Sequence, residues 1–271
     1  MKVTLGGCIK YGFLLIVSFF SIFPFYWMMV GSTNTANQVA EGKLTFGNQL
    51  ASNFQVLFSN YDIPLIMWNS IKISLITVLV SLLVTSLAAF GFEKFRTRAS
   101  EGIYALFLLC MMVPLATLVI PLFKMMAGMQ LVNQHVAVIL PLVNNLFLIF
   151  FFRQNFKSFP DGILDASRIE GATEYTIFFR IVFPMMRSTY AAAAIYAFMN
   201  AWNSYLLPLV FLQTESRQTM TLLISNLSSA SYVPNYGVQM LAIVIATIPT
   251  LVLFLFMQKG FVKGMTGSLK L

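Results

Sequence analysis

Five charged residues, Asp165, Arg168, Glu170, Glu174 and Arg180, crowd into the stretch DASRIEGATEYTIFFRIVFP at 165–184, in a chain built mostly of Leu, Phe, Ile, Val and Met. Charges of both signs, set among small apolar residues at helical spacing, suit reversible docking against a protein surface. They do not suit catalysis. The single histidine, His135, has no Ser or Cys companion for a nucleophile–base pair. No G-x-x-x-x-G-K-[ST] loop occurs to cradle a nucleotide's phosphates. Cys8 and Cys110 supply neither a disulfide framework nor metal-ligand spacing. The chain is therefore expected to hold no catalytic residue, cofactor or metal of its own.

A second polar set sits inside apolar runs. Asn144 and Asn145 interrupt one run; Tyr196, Asn200 and Asn203 fall at i, i+4 and i+7 of another, beside Phe198, Trp202 and Tyr205. Amides with aromatic faces suit sugars, which offer hydroxyl edges and apolar ring faces. The same amides could instead join helices, each contributing about 0.5–2 kcal/mol, and the residues alone leave both roles open. Ala191 to Ala194 read as close helix packing.

These residues need a scaffold, and composition says which. Of 271 residues 58% are hydrophobic and only 10% charged, with a mean hydropathy of +0.80. Soluble domains devote about a quarter of their residues to charge, so the solvent is a lipid bilayer. Six segments are apolar enough to span it: 11–31, 66–91, 102–122, 135–152, 188–212 and 236–258. Pro24, Pro114, Pro121, Pro141, Pro208 and Pro249 are expected to kink their helices without breaking them. No Asp or Glu falls inside these bounds, and Lys72, Lys124 and His135 lie near outer ends where solvation suffices. A carrier driven by protons or sodium needs ionisable or ion-coordinating groups at mid-membrane. The driving energy is expected to enter elsewhere.

Placing both termini inside puts Lys2, Lys10, Lys94, Arg96, Arg98, Arg153, Lys157, Arg168, Arg180, Arg187, Lys259, Lys263 and Lys270 on the cytoplasmic side, against Lys43, Lys72, Lys124 and Arg217 outside. That bias predicts an N-in, C-in topology. The net charge of +8 is explained by it, and the scattered basic residues form no patch for nucleic acid. Two outer loops, 32–65 and 213–235, are polar enough to meet something outside. The longest inner loop, 153–187, contains the charged insert.

Within that loop Ser158, Pro160 and Asp161 predict a helix start. Ile163, Leu164, Ala166 and Ile169 predict one apolar side, and Asp165 and Arg168 an i, i+3 ion pair on the other. Gly171 predicts the end of this helix and Thr173 the cap of a second short one. An ordinary connection between bundle helices takes only about 2–8 residues, and the acids are poorly placed against an anionic leaflet. Docking of a partner protein fits better than lying on headgroups.

The insert resembles the cytoplasmic loop motif of binding-protein-dependent ABC importer permeases: Glu-Ala-Ala, two residues, Asp-Gly-Ala, then Ile-x-Leu-Pro. Asp165, Ala166 and Ser167 stand at its first part, Glu170, Gly171 and Ala172 at its second, and Ile181-Val182-Phe183-Pro184 at its end. The replacements keep charge or size, and the Gly and Pro are intact. Asn69-Ser70, MMVPLATLVIPLF at 111–123, AWNSYLLPLVFL at 201–212 and FVKGMTGSLK at 261–270 resemble the carbohydrate-uptake branch, the six-span permease of the maltose type.

The resemblance implies an all-α, polytopic membrane protein of the type I ABC importer fold, with a cytoplasmic coupling helix seated on an ATPase. It divides the chain into an N-terminal span and outer loop (1–65), a transmembrane core (66–260) with coupling loop 153–187, and a cytoplasmic tail (261–271). It implies residence in a bacterial inner membrane, a second permease, two ATPase subunits that use ATP and Mg, and an extracytoplasmic sugar-binding protein. The implied task is sugar uptake. Import of glycerol-phosphate, a polyol or another small solute is the alternative within the family; a channel or scaffold without ATP coupling is the alternative outside it.

Overall fold

The computed structural model describes residues 5–229 and 235–265, and every regular element among them is helical. Lys2, residues 230–234 of the second outer loop and the tail beyond 265, Lys270 included, lie outside the described residues. The helices are α1 (Leu5–Ser32), α2 (Ala36–Ala40), α3 (Leu50–Asn60), α4 (Ile63–Lys94), α5 (Arg98–Cys110), α6 (Leu115–Gly128), α7 (His135–Val143), α8 (Leu146–Lys157), α9 (Asp161–Ile169) and α10 (Glu174–Ile177). A π-helical turn, Phe178–Val182, leads into α11 (Phe183–Met185), followed by α12 (Arg187–Trp202) and α13 (Leu206–Phe211). A 3₁₀ turn (Glu215–Arg217), α14 (Met220–Ser229) and α15 (Tyr236–Met265) complete the chain.

Four stretches are long and apolar enough to cross a bilayer: Lys10–Ser32, Ile63–Lys94, His135–Lys157 and Tyr236–Gln258. The other two expected spans are discontinuous. At Pro114 the chain turns sharply, and α5 and α6 meet at 106°. Pro114 is thus a break, not the kink expected for it. Proline lacks a donor and disfavours helical geometry in the residue before it, and the freed backbone closes in turns: the Met112 N–H donates to the Leu109 carbonyl and the Val113 N–H to that of Cys110, both at 3.1 Å. The fifth span splits into α12 and α13 around Asn203–Tyr205. Pro208 denies residue 204 its helical hydrogen bond and crowds its carbonyl.

The chain forms two compact units. One comprises residues 1–65 with 222–248. There α1 turns most of its apolar side chains outward, as a lipid-facing helix does. Its loop after α1 is ordered by amides rather than left as free polar surface. Asn34 Nδ2 donates to the carbonyls of Val30 and Thr45 at 2.9 Å, and Asn53 Nδ2 to those of Ser32 and Asn34 at 2.9 and 3.0 Å. Thr35 and Gln38 form a reciprocal capping box on α2. Gly237 packs here because no side chain fits: a Cβ would lie 2.3 Å from the Asn34 carbonyl oxygen.

The other unit comprises residues 66–221 with 249–271. Its larger core joins Phe90 of α4, Phe152 and Phe156 of α8, Phe178 of the π turn and Tyr190 of α12. The Phe90 ring meets those of Phe156 and Phe178 edge-on at 5.7 and 5.3 Å, a geometry worth about 0.5–1.5 kcal/mol per pair beyond burial. Ala193 and Ala197 let α12 approach closely. Along α4 a stripe of Ser70, Ser74, Thr77, Ser81 and Thr85 is buried at helical spacing, small enough for close packing. Side chains also clamp residues 213–220: Asn69 Nδ2 donates to the Ser216 and Gln218 carbonyls at 2.9 and 3.1 Å, and Asn133 Oδ1 accepts from the Gln213 and Thr214 N–H groups. His135 belongs to this clamp. It is buried, with Nε2 3.1 Å from the Arg217 carbonyl oxygen, so solvation does not account for it.

The outer knot of the first unit is testable. Gly237→Ala must push α15 off the Asn34 carbonyl, and Asn53→Ala leaves two buried carbonyls unpaired; each is expected to cost about 1–3 kcal/mol. Their double variant is expected to fall short of additivity, since both act on one contact. Thermal unfolding in detergent measures this, with Gly12→Ala, where a Cβ meets nothing within 4 Å, as the neutral control.

Candidate functional site

The coupling-loop candidates fold as a helical hairpin. Pro160 sets the extended entry and Asp161 opens α9. Ser158, expected to cap this helix, instead ends α8, its N–H bonding to the carbonyls of Asn155 and Phe156. The buried Phe159 and Pro160 take up the turn. Gly171 stops α9 with φ +83°, a conformation that costs a side chain about 1–2 kcal/mol. Thr173 then caps α10, its Oγ1 accepting the Thr176 N–H at 3.3 Å.

Charge braces the hairpin. Arg168 pairs with Asp165 at 3.0 Å and with Glu174 at 2.7 Å, so one guanidinium bridges α9 and α10 across Gly171. Both carboxylates raise the Arg168 pKa, Glu174 foremost.

The apolar residues of α9 divide. Leu164 is 1% exposed and packs into the core with Ile163. Ser167 also turns inward and donates to the Ile163 carbonyl at 2.7 Å. Ala166 and Ile169 do not share that side, contrary to the single apolar face expected: Ala166 is exposed and Ile169 is 87% exposed. Ile169 and the 76% exposed Tyr175 thus form an outward surface with Asp165, Glu170 and Glu174. A Cβ at Gly171 would meet nothing within 4 Å. The structure brings Asp165, Ala166, Glu170 and Gly171 onto exposed positions; Ser167 is buried and Ala172 half-buried. Such a surface can dock a protein with a matching pocket.

Behind the hairpin lies an ion-pair cluster that the span boundaries concealed. Helix α4 runs on through Lys94, and Glu93 is buried. Arg153, near the end of α8, is 3% exposed. Its Nε donates to Glu93 Oε2 at 3.1 Å and its Nη2 to Glu101 Oε1; Arg96 also bonds Glu93. The Tyr104 ring lies under the guanidinium, 3.9 Å from centroid to Cζ. Lys94 Nζ donates to Asp161 Oδ1 at 2.7 Å. That contact holds the Asp161 carboxyl below its usual pKa, so it stays charged at neutral pH. Together Glu93, Lys94, Arg96, Lys157, Asp161, Asp165 and Arg168 line a polar cleft of about 760 Å³. The signal available in the sequence was charge persisting at helical spacing past residue 91.

The path candidates sit elsewhere in the same unit. A groove of about 1000 Å³ is lined by Asn144, Asn145, Phe147, Tyr196 and Asn200, with Met111, Met125 and Met129 along the bent α5–α6 pair. Asn203 does not line it; it ends α12. Asn145 also caps α8, Oδ1 accepting the Leu148 N–H at 3.2 Å. The aromatic faces in the groove are Phe147 and Tyr196, 4.5 Å between centroids. Phe198 and Trp202, expected beside the amides, are buried and stacked on each other at 5.4 Å. No Asp, Glu, Lys or Arg is among the described residues lining the groove.

Residues 82–267 match the family model described as the binding-protein-dependent transport system inner membrane component. The lactose transport system permease protein LacG of Rhizobium radiobacter is 48% identical over 270 residues, covering 100% of this chain and 98% of that protein. The arabinooligosaccharides transport system permease protein AraQ of Bacillus subtilis (strain 168) is 32% identical over 265 residues, covering 95% and 94%. Among solved structures, a bacterial ABC transporter involved in the import of the acidic polysaccharide alginate contains a chain superimposing with a TM-score of 0.78 at 19% identity, covering 94% of this chain and 96% of that one. That likeness is one of fold: the all-helical, membrane-embedded type I importer architecture.

The buried cluster makes a quantitative demand. Arg153→Met strands Glu93 without its buried partner and is expected to cost about 3–5 kcal/mol, while pairing it with Glu93→Leu recovers part of that. Thermal melting of the purified protein reads both; equal losses for the single and double variants would contradict it.

Proposed function

The chain belongs to the binding-protein-dependent transport system inner membrane components, and from that premise we propose that it is a permease subunit of an ATP-driven importer whose cargo is a neutral oligosaccharide. The groove carries the cargo assignment. It offers amides at Asn144, Asn145 and Asn200 and aromatic faces at Phe147 and Tyr196, and no charged residue among the described lining. Hydroxyl-rich, uncharged rings match that chemistry; a phosphorylated or acidic solute would meet no counter-charge there. The similarity to lactose and arabinooligosaccharide permeases supports the same class.

The energy enters through the α9–α10 hairpin. Separate ATPase subunits bind ATP and Mg, receive the outward surface of Asp165, Ala166, Glu170, Gly171 and Ile169, and carry the hairpin with them as they close. Ser167 and Ala172 act from behind, packing the hairpin onto the bundle. Both termini lie on the cytoplasmic side, where the hairpin must be to meet an ATPase; the Lys and Arg distribution supports this. One groove-bearing bundle encloses no pathway by itself, so a second permease closes it. An extracytoplasmic binding protein delivers the sugar.

In the assembled complex, with its binding protein, proteoliposomes are expected to accumulate a labelled neutral di- or oligosaccharide upon ATP addition and to exclude sn-glycerol 3-phosphate. Asn200→Ala and Tyr196→Ala are expected to lower sugar uptake about tenfold, as loss of an aligned polar or stacking contact does. Equal uptake of the phosphate ester would overturn the cargo class. At the hairpin, Gly171→Val is expected to abolish uptake while the chain still inserts, whereas Gly171→Asn, which tolerates positive φ, retains most of it. Equal transport by both variants would remove the turn from the mechanism.

A further inference from the structure

The hairpin has a second attachment that its chain connections do not supply. Residues 158–160 join α9 to α8, and on the other side the chain passes through Gly171, where an added Cβ would meet nothing within 4 Å. Arg168 braces that open turn by bridging Asp165 of α9 and Glu174 of α10. Helix α4 is distant in sequence, yet its last residue reaches the first residue of α9: Lys94 Nζ to Asp161 Oδ1, 2.7 Å. The ammonium end is enclosed, with the Lys94 side chain only 7% exposed against 76% for Asp161. An enclosed ammonium has little water to turn to, so it holds its carboxylate more persistently than a surface lysine would.

One residue inward, Glu93 is tied to Arg153 of α8, and Arg153 to Glu101 of α5. We propose that the Lys94–Asp161 contact is a mechanical tether that carries motion of the coupling hairpin into α4, with the Glu93–Arg153–Glu101 cluster spreading it to the ends of α5 and α8. Lys94 and Asp161 are positioning residues: they touch neither sugar nor nucleotide. This rests on the reading of the hairpin as the ATPase docking element. Opening the contact leaves the hairpin docked and hydrolysis running, but part of each stroke is lost as slack between α9 and α4.

The test uses the whole reconstituted complex and reads ATP hydrolysed per sugar imported. Lys94→Met and Asp161→Asn are each expected to raise that ratio about two- to fivefold, the range that loss of an ion pair with one solvent-facing partner can supply. ATPase co-purification should not change. Asp161→Glu is expected to restore most of the coupling, and the exchange Lys94→Asp with Asp161→Lys part of it, because a lysine at a helix N-terminus opposes the dipole. An unchanged ratio in Lys94→Met overturns the tether, as does an exchange no better than either single variant. Failure of the underlying reading looks different: the unmodified complex would show no co-purifying ATPase and no ATP-dependent uptake.

Discussion

Burial of the Arg153 guanidinium is the constraint around which the ends of α4, α5 and α8 are organised. Removing one such ion from water costs several kcal/mol even after relaxation, and the structure offsets that by surrounding it. Glu93 approaches from the end of α4, Glu101 from the start of α5, and the Tyr104 ring lies beneath. Without Arg153 the buried Glu93 would keep only Arg96, whose side chain is half exposed. Three helix ends are therefore held in one arrangement by a requirement stronger than apolar contact, which in lipid discriminates weakly among packings. Phe90, Phe152, Phe156 and Phe178 fill the adjoining core, and their edge-on ring contacts add shape to what the charges fix.

Loops in each unit solve a comparable problem with neutral groups. Loops at a membrane surface carry backbone carbonyls that must find donors. Here amide side chains supply them: Asn34 and Asn53 within residues 32–53, Asn69 and His135 under residues 213–220. Loops rich in Asn and Gln are thus in part self-supporting scaffolds. The Asn144–Asn145 interruption borders the groove and closes locally, the Asn145 N–H donating to the Val143 carbonyl at 2.9 Å and its carbonyl accepting from the Leu148 N–H at 3.1 Å.

How much of this was legible depends on whether a residue's neighbours are local. The α9–α10 hairpin stood out because charge is scarce elsewhere, and its Thr173 cap, its Gly171 turn and the Asp165–Arg168 pair are all contacts within a few residues. Ser158 misled because α8 runs longer than its apolar stretch, through Lys157, and claims the serine for its own end. Ile169 misled because helical periodicity cannot tell an apolar side chain facing the core from one left exposed. Pro114 breaks its span whereas Pro24 and Pro249 sit inside unbroken helices, and the residue type alone does not tell them apart. Arg153 read as one more cytoplasmic cation; its two carboxylates are more than fifty residues away in the chain, and no spacing rule joins them.

The π-helical turn at Phe178–Val182 has a consequence of its own. Its wide loop, closed by the Phe183 N–H on the Phe178 carbonyl, inserts a residue without adding a corresponding rise. Pro184, which cannot donate, sits just beyond it, and a wider coil relieves the crowding its ring would cause. Side chains before and after the bulge are out of angular phase by about 100°, which is why no single 3.6-residue wheel describes 174–186. A surplus of this kind is slack in the thread: the segment between hairpin and bundle holds one more amino acid than an α-helix of the same length would.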